Sequence, residues 1–215
     1  MARFSNRIEA GRQLAKQLQD YAADSPLVLG LPRGGVPVAH EVASALKAEL
    51  DVWIVRKIGA PWNPEVGVGA VAEGGYVYLN REILDGIGLS GPALTEAIDQ
   101  QRREVEARVV KFRGSHPPPA LRDRVVIVVD DGIATGGTVR AAVRSIRAQQ
   151  PKTLVLAVPV AAADLASALS SEVDRFVCLR TPRNLYAIGL WYDDFTQVPD
   201  REVLALLQRR QRQAG

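Results

Sequence analysis

The sequence predicts an α/β protein with a mostly parallel central sheet flanked by helices. An unbroken β-branched run at residues 125–129 is typical of a strand buried on both faces, as in a parallel sheet. A strand–helix–strand pattern spans residues 27–55, and two more apolar strands follow in the second half. Such a unit implies a right-handed crossover between parallel strands, so helices are expected to cover both faces of the sheet.

The chain has 215 residues and a net charge of +3, which fits one sizeable domain over residues 1–215. The small charge gives no reason to expect nucleic-acid binding. The sequence contains no run of about 18 apolar residues, so no membrane span is expected. The N-terminus lacks the apolar core of a secretory signal. The single cysteine, Cys178, excludes an internal disulfide and is interpreted as a small core residue, so a cytoplasmic location is expected.

Apolar spacing defines the elements of the first half. They are an amphipathic helix over 7–21, a strand over 27–31, a helix over 36–50 and a strand over 51–55. Arg56 and Lys57 are expected to close that last strand.

Residues 59–81 break this pattern, because glycines and prolines interrupt short alternating runs. The alternation predicts that residues 66–71 and 76–79 pair as a hairpin across residues 73–75. The glycine content favours a mobile flap.

The second half returns to alternating helices and strands. The predicted elements are a charged helix over 90–112, strands over 125–129, 153–158 and 174–179, and helices over 139–147, 162–169 and 200–210. Pro159 is expected to close its strand. The arginines of the tail, Arg209, Arg210 and Arg212, are interpreted as a solvated end.

Two carboxylates, Asp130 and Asp131, follow the buried strand, and a Thr-Gly-Gly-Thr turn then opens a helix. Backbone N–H groups at a helix N-terminus bind phosphate, aided by the helix dipole. Glycines allow close backbone approach, and adjacent carboxylates are costly unless they face hydroxyls, a cation or water. This stretch therefore predicts a site for a phosphorylated sugar and its metal.

Residues 126–138 resemble the phosphoribosyl-pyrophosphate (PRPP) signature of type I phosphoribosyltransferases: a hydrophobic run, two acidic residues, two mostly apolar residues and a small-Thr-Gly-x-Thr turn. Gly132 departs from it, since an aliphatic residue is more usual there. The order of the other elements also fits that family. The resemblance implies a core over about 25–180, a flap over about 59–81, and a hood from about 181–215 plus N-terminal residues.

The resemblance implies that the 5′-phosphate of PRPP lies on the turn, with the threonine hydroxyls donating. The residues concerned are Ala134, Thr135, Gly136, Gly137 and Thr138. Asp130 and Asp131 are then expected to face the ribose hydroxyls, directly or through Mg²⁺.

Residues 32–35 resemble the pyrophosphate loop of that family and follow the first strand. Arg33 would supply a charged donor, while Gly34 and Gly35 would permit backbone contact with the anion. A plain strand-to-helix turn is the alternative. Either Arg56 or Lys57 is a further candidate for the pyrophosphate, or the two simply form a charged strand end.

Residues 185–195 loosely resemble the hood of hypoxanthine-type enzymes. Tyr186 takes the place of the base-stacking aromatic residue, Trp191 and Tyr192 are further base-binding candidates, and Asp193 takes the place of a carboxylate near the metal. The alternative is that these aromatic residues pack the hood against the core.

The resemblance implies displacement at C1′ of the ribose by a nitrogenous base, with a nucleobase the expected class. Ala134 stands where several purine enzymes of the family carry an aspartate that acts as general acid or base, and alanine cannot do this. The Ala-Thr-Gly-Gly form is similar to adenine- and uracil-type members. Any general base must come from elsewhere in the chain.

Three classes of function are compatible with these observations to different degrees. The first is an Mg²⁺-dependent phosphoribosyltransferase that releases pyrophosphate, possible as a homodimer because dimers are common in the family. The second is a regulator that senses PRPP or a nucleotide with little transferase activity. A phosphotransfer receiver is disfavoured, because it leaves residues 32–35 and 135–138 unexplained.

Overall fold

The computed structural model describes residues 3–214, apart from the side chains of residues 64, 65 and 210–214, so Arg210 and Arg212 of the tail lie outside the described side chains. The strands are β1 (Leu27–Gly30), β2 (Glu49–Val52), β3 (Val55–Ala60), β4 (Asn63–Ala72), β5 (Val77–Leu79), β6 (Val125–Val129), β7 (Thr153–Val160) and β8 (Arg175–Arg180). The α-helices are α1 (Arg7–Lys16), α2 (Gly35–Leu46), α3 (Arg81–Ile87), α4 (Gly91–Arg113), α5 (Gly137–Arg147), α6 (Ala163–Ser170) and α7 (Asp200–Ala214).

The central sheet has five strands in the order β2-β1-β6-β7-β8, and every pairing in it is parallel. This confirms the predicted fold class. Because β1 and β6 are neighbours, the loops that follow them meet at the same carboxyl edge of the sheet. Open α/β sheets bind ligands at this edge, next to the point where strand order reverses.

Two apolar layers cover the faces of the sheet. Ile127 and Val129 of β6 join the layer formed with α1, α2 and α7, whereas Val126 and Val128 join the layer formed with α5 and α6. All five residues of β6 are buried, as the unbroken β-branched run predicts. The strand that precedes the acidic pair is therefore the rigid centre of the domain.

The prediction of one strand over 51–55 is wrong. Strand β2 ends at Val52, and residues from Val55 onward pair with β4 in a separate antiparallel sheet, β3-β4-β5. The change occurs where Ile54 accepts a hydrogen bond from the N–H of Glu73 at 2.8 Å, so the chain passes from one set of partners to another. Arg56 and Lys57 consequently lie on β3 and not at the edge of the central sheet.

The predicted hairpin is present, with Gly69 opposite Leu79 and Val71 opposite Val77. Its connecting turn, Glu73–Gly75, is not a free tip: the carboxylate of Glu73 is buried and pairs with Arg113 of α4. The exposed end of this small sheet is the β3–β4 connection, where the Trp62 side chain is 62% exposed.

Three smaller differences concern element bounds. The helix predicted over 7–21 ends at Lys16, and a 3-10 turn follows that keeps Leu18 buried. Strand β7 continues past Pro159, because Val158 and Val160 both pair with β8. Helix α3 had no predicted counterpart. Among the described residues, no helix is long and apolar enough to cross a membrane.

A buried ionic network ties α4 to both sheets. Arg113 pairs with Glu73 and with Asp51, which lies 3.0 Å away, and it also donates to the carbonyl of Val52 at 2.8 Å. Burial alone would disfavour the charged guanidinium, but the bonds to Glu73 and Asp51 raise the pKa of Arg113. Residue 113 thus joins α4, β2 and the hairpin turn.

We predict that Arg113→Ala lowers the free energy of unfolding by about 3–5 kcal/mol, because it leaves the buried Glu73 carboxylate unpaired. The control is Arg102→Ala on the same helix, where a half-exposed i,i+3 pair with Asp99 is lost and the change should stay below about 1 kcal/mol. Urea unfolding measures both. Equal losses in the two variants would contradict the role given to Arg113.

Candidate active site

Strand β6 delivers Asp130 and Asp131 directly into the signature loop (residues 130–136). The N–H of Ile133 donates to the carbonyl of Val160 at 2.9 Å, so the loop is held against β7. Gly136 adopts φ 75°, a left-handed conformation that favours glycine, and α5 begins at the next residue. Among the residues that the structure describes, no side chain caps the first turn of α5, so its N–H groups are available to an anion.

The second loop, residues 32–35, follows β1 and opens α2; its Pro32–Arg33 peptide bond is cis. A Cβ atom on Gly34 would lie 1.9 Å from Oδ2 of Asp131. A Cβ atom on Gly35 would lie 2.6 Å from the carbonyl oxygen of Val129 and 3.0 Å from Oδ1 of Asp130. Only glycine fits at either position, and the two loops are therefore in direct contact.

The two carboxylates carry an electrostatic cost. Burial raises the pKa of Asp130 well above its ordinary value, and the adjacent charge of Asp131 raises it further. Burial also raises the pKa of Asp131, although the guanidinium of Arg7 opposes that rise. The site thus holds an acidic pair whose ionised form needs a cation or hydrogen-bond donors.

Arg7, at the start of α1, is a site residue that the sequence analysis missed. Its Nε donates to Oδ2 of Asp131 at 2.7 Å, and both side chains are only 11% exposed. Its guanidinium lies 3.8 Å from the ring centroid of Phe195 and donates to the carbonyl of Thr196. No local pattern distinguishes Arg7, since its partner lies 124 residues further along the chain.

The segment after β8 docks on the signature loop. Tyr192 donates its hydroxyl to the carbonyl of Asp131 at 2.6 Å, and its buried ring packs on Phe4 and Phe195. A Cβ on Gly132 would lie 2.7 Å from Cγ2 of Ile188, which explains why glycine replaces an aliphatic residue there.

This docking corrects the assignment of Tyr192 as a base-binding residue. Because its ring is buried and its hydroxyl is engaged, Tyr192 acts as a packing residue, as the alternative interpretation of the hood proposed. The Tyr186 side chain, by contrast, is 86% exposed, and Trp191 is partly buried. Of the three candidates, Tyr186 has the surface most open to a ligand.

A cavity of about 270 Å³ lies between the N-terminus of α5 and the small sheet. It is lined by the phosphate-binding candidates and by residues of β3, β4 and β5, including Lys57, Gly67, Gly69, Tyr78, Thr135, Gly137, Thr138 and Arg140. Lys57 therefore joins the site. Arg56 does not, because successive residues of a strand face opposite sides, and its charge interacts with Glu104 and Arg108 of α4.

Two other predicted residues have different partners. Arg33 lies 3.6 Å from Asp200 at the start of α7. The Asp193 side chain is 63% exposed and lies 4.0 Å from Arg3. No group of three or more potential metal ligands occurs among the described residues, and a metal role for Asp193 stays a prediction.

The acidic pair nevertheless suits a magnesium ion that shares its ligands with a substrate. Mg²⁺ commonly takes one or two protein carboxylates and completes its shell with water and phosphate oxygens. The raised pKa of Asp130 reflects a charge that such an ion would neutralise. Asp130 is the better ligand of the two, because Arg7 already holds one oxygen of Asp131.

Taken together, the fold and this site define an α/β domain in which two glycine-containing loops meet at the carboxyl edge of a parallel sheet. The profile of the phosphoribosyl transferase domain matches residues 3–185. The chain belongs to the phosphoribosyl transferase domain family.

The chain is also similar to individual proteins. It is 43% identical over 212 residues to a provisionally named phosphoribosyl transferase of Mycobacterium tuberculosis, a match that covers 99% of this chain and 48% of that protein. The chain thus spans about half the length of the curated relatives it matches. The crystal structure of TT1426 from Thermus thermophilus is 40% identical, with a TM-score of 0.82 over 96% of this chain and 98% of that one.

A more distant structure shows how widely the fold is shared. The AQ2163 protein from Aquifex aeolicus matches 85% of this chain and 78% of its own with a TM-score of 0.51 at 13% identity. At this level of identity the likeness concerns the fold alone.

We predict that Asp130→Asn stabilises the ligand-free protein at neutral pH in the absence of divalent cations. The folded-state pKa of Asp130 lies well above the ordinary value of an aspartate, so the folded state binds this proton more tightly than the unfolded state. Wild-type stability should therefore fall as pH rises through the raised pKa, and the variant should lack this fall.

Urea unfolding across that pH range tests this expectation, with Asp193→Asn as the exposed control. The control should differ from the wild type by less than about 0.5 kcal/mol at every pH. If Asp130→Asn is less stable than the wild type at neutral pH, the electrostatic cost assigned to the acidic pair is wrong.

Proposed function

We propose that this protein transfers the 5-phosphoribosyl group from PRPP to a nitrogenous base and releases pyrophosphate. The observation that carries the proposal is the contact between the two loops, in which Gly34 packs directly on the Asp131 carboxylate. Because of this contact, the candidate pyrophosphate loop and the candidate ribose-phosphate loop lie next to each other at the carboxyl edge of the sheet, close enough for one ligand to reach both. Family membership supports the general class of reaction.

The 5′-phosphate is proposed to bind the uncapped first turn of α5. Gly137 and Thr138 line the cavity there, and Thr135 faces it from the signature loop. Backbone N–H groups and the threonine hydroxyls would donate to the phosphate oxygens. Lys57, which lines the same cavity from β3, would add a positive charge.

Asp130 is proposed to accept hydrogen bonds from the ribose hydroxyls and to hold the metal. When bound, Mg²⁺ would neutralise charge on the pyrophosphate and favour its departure. Asp131 has a different role in this proposal, because its carboxylate is shared between Arg7 and the surface of Gly34. It positions the two loops and leaves the direct ribose contacts mainly to its neighbour.

In the transfer step, a ring nitrogen of the acceptor forms a bond to C1′ while the bond from C1′ to the pyrophosphate oxygen breaks. Arg33 and the backbone of residues 34–35 would stabilise the negative charge that develops on the leaving group. The small sheet covers the phosphate side of the cleft, which helps to keep water from the cation-like ribose. Alanine at position 134 cannot accept or donate a proton. The acceptor must therefore bind in a reactive ionisation state or exchange its proton with a group outside the signature loop.

A sensor of PRPP or a nucleotide is the second candidate, and two observations favour it. Ala134 removes the acid/base group that several purine enzymes use, and Arg7 pairs with one of the two carboxylates. A sensor needs the pocket but not the acceptor chemistry.

The deciding experiment is a pyrophosphate-release assay with PRPP, Mg²⁺ and a panel of nucleobases and other nitrogenous bases. Release that depends on one base identifies a transferase and its acceptor class. Mg²⁺-dependent PRPP binding by calorimetry without release on any base favours the sensor. Absence of PRPP binding would reject both.

We expect Asp130→Asn combined with Asp131→Asn to lower kcat by about two to three orders of magnitude or more, because the ribose and metal contacts are lost. Circular dichroism and thermal unfolding should show an intact fold, since asparagine keeps the volume of each side chain. Retained turnover in this double variant would show that these carboxylates do not form the ribose site.

We expect Arg33→Ala to weaken PRPP binding by about tenfold or more while it changes binding of the nucleotide product much less, because the product lacks pyrophosphate. Arg103→Ala, an exposed arginine of α4, is the control and should change neither affinity. Calorimetric titration of both ligands provides the comparison. Equal weakening of both ligands by Arg33→Ala would contradict the pyrophosphate assignment.

A further inference from the structure

The cavity beside α5 has a positive side chain on each of its two walls. Arg140, at the end of the first turn of α5, lines it from the helix, and Lys57 lines it from β3 of the small sheet. A Cβ atom on Gly67 would lie 2.6 Å from Cε of Lys57, so the lysine stem runs across a glycine that also lines the cavity. Among the described residues that line this cavity there is no carboxylate, and the lining is therefore basic.

Arg140 shares one carboxylate with a second arginine of α5, and that arginine holds it more firmly. Glu172 accepts a hydrogen bond from Nε of Arg144 at 2.7 Å and another from its Nη2 at 3.2 Å, which makes a bidentate pair. The guanidinium of Arg144 also lies 4.9 Å from the ring centroid of Tyr78. Arg144 thus joins the segment before β8 to the small sheet, and its charge is met by Glu172.

Arg140 has no such pairing. Its Nε lies 3.4 Å from Oε1 of Glu172, the oxygen that already accepts from Arg144, and this Nε has no hydrogen-bond partner among the described residues. One carboxylate cannot neutralise two guanidinium groups, and Arg140 is the arginine that borders the cavity. The Arg140 side chain is 28% exposed, so a ligand in the cavity can reach it.

We propose that Arg140 and Lys57 form a two-walled clamp on the phosphate monoester of the ligand, and that Arg140 determines specificity for a phosphorylated sugar. This inference rests on the proposed function and extends its phosphate site beyond the signature loop. A phosphate monoester is close to a dianion at neutral pH, so two cations match its charge. The guanidinium presents paired donors to phosphate oxygens, whereas the ammonium of Lys57 acts as a point charge.

The clamp acts on a different end of the ligand from the loop after β1. PRPP and the nucleotide product both carry the 5′-phosphate, but only PRPP carries the pyrophosphate. Loss of Arg140 should therefore weaken binding of both ligands to a similar extent, whereas loss of Arg33 should weaken binding of PRPP much more than that of the product. This contrast assigns each arginine to one end of the ligand.

The test is calorimetric titration of the full chain with ribose 5-phosphate, in the absence of PRPP. Arg140→Gln should weaken binding by about tenfold or more, as expected for the loss of a charged donor to phosphate. Arg140→Lys keeps the charge and should bind more tightly than Arg140→Gln. The matched control is Arg147→Gln on the same helix, because Arg147 pairs with Asp174 at 3.0 Å and does not line the cavity. The control should bind as the wild type does.

Three outcomes of this titration would overturn the inference. The first is a wild-type protein that does not bind ribose 5-phosphate. The second is equal affinity in Arg140→Gln and Arg147→Gln. The third is an Arg140→Lys variant that binds no better than Arg140→Gln, because the clamp depends on the charge at residue 140.

Urea unfolding without ligand separates a ligand contact from a structural one. Because Nε of Arg140 donates no hydrogen bond to Glu172, Arg140→Gln should unfold close to the wild-type midpoint. Arg147→Gln should do the same, since it loses only a partly exposed ion pair. A lower midpoint in Arg140→Gln alone would show that Arg140 supports the fold, and the inference would fall.

The pyrophosphate-release assay keeps this inference apart from the proposed function. If no base supports release, transferase activity is rejected, yet ribose 5-phosphate binding that is lost in Arg140→Gln still supports the clamp. If release occurs while Arg140→Gln binds ribose 5-phosphate as the wild type does, only the clamp is rejected.

Discussion

The arrangement of this site depends on the carboxylate of Asp131. Its Oδ2 accepts from Arg7 at 2.7 Å and lies where a Cβ of residue 34 would stand, while its carbonyl accepts from Tyr192. One residue thus joins the N-terminal helix, the loop after β1 and the segment after β8. The buried carboxylate is tolerated here because the guanidinium of Arg7 pairs with it, and truncation of Arg7 would leave it with the full cost of desolvation.

The molecule concentrates charge where it would be costly for folding alone. Asp130 lies beside Asp131 and has a raised pKa, and the Nε atoms of Arg56 and Arg108 are buried without hydrogen-bond partners among the described residues. The two features are of opposite sign. Such an arrangement suits a ligand that presents hydroxyls and a metal to the acidic pair and phosphate oxygens to basic groups. Local instability of this kind is common at functional sites.

The small sheet is fixed at one end and open at the other. Arg113 holds the turn at Glu73, whereas the connection that carries Trp62 projects into solvent. Lys57 and Tyr78 of this sheet line the cavity beside α5. Any movement of the sheet about the anchored turn would therefore shift these two residues relative to the candidate phosphate site. The turn at Glu73 is anchored, so a flap over residues 59–81 would have to move at its opposite, exposed end.

The sequence by itself determined the parallel core, the acidic pair at a strand end, and the glycine-rich turns after β1 and β6, because burial on both faces and helix initiation leave local patterns. The tertiary structure decided which charges meet. Arg7 finds Asp131 across 124 residues. Lys57 lines the cavity because the chain changes partner strands after Ile54 and β3 joins the small sheet. Such contacts arise from packing between segments that are distant in sequence, so local sequence patterns do not predict them.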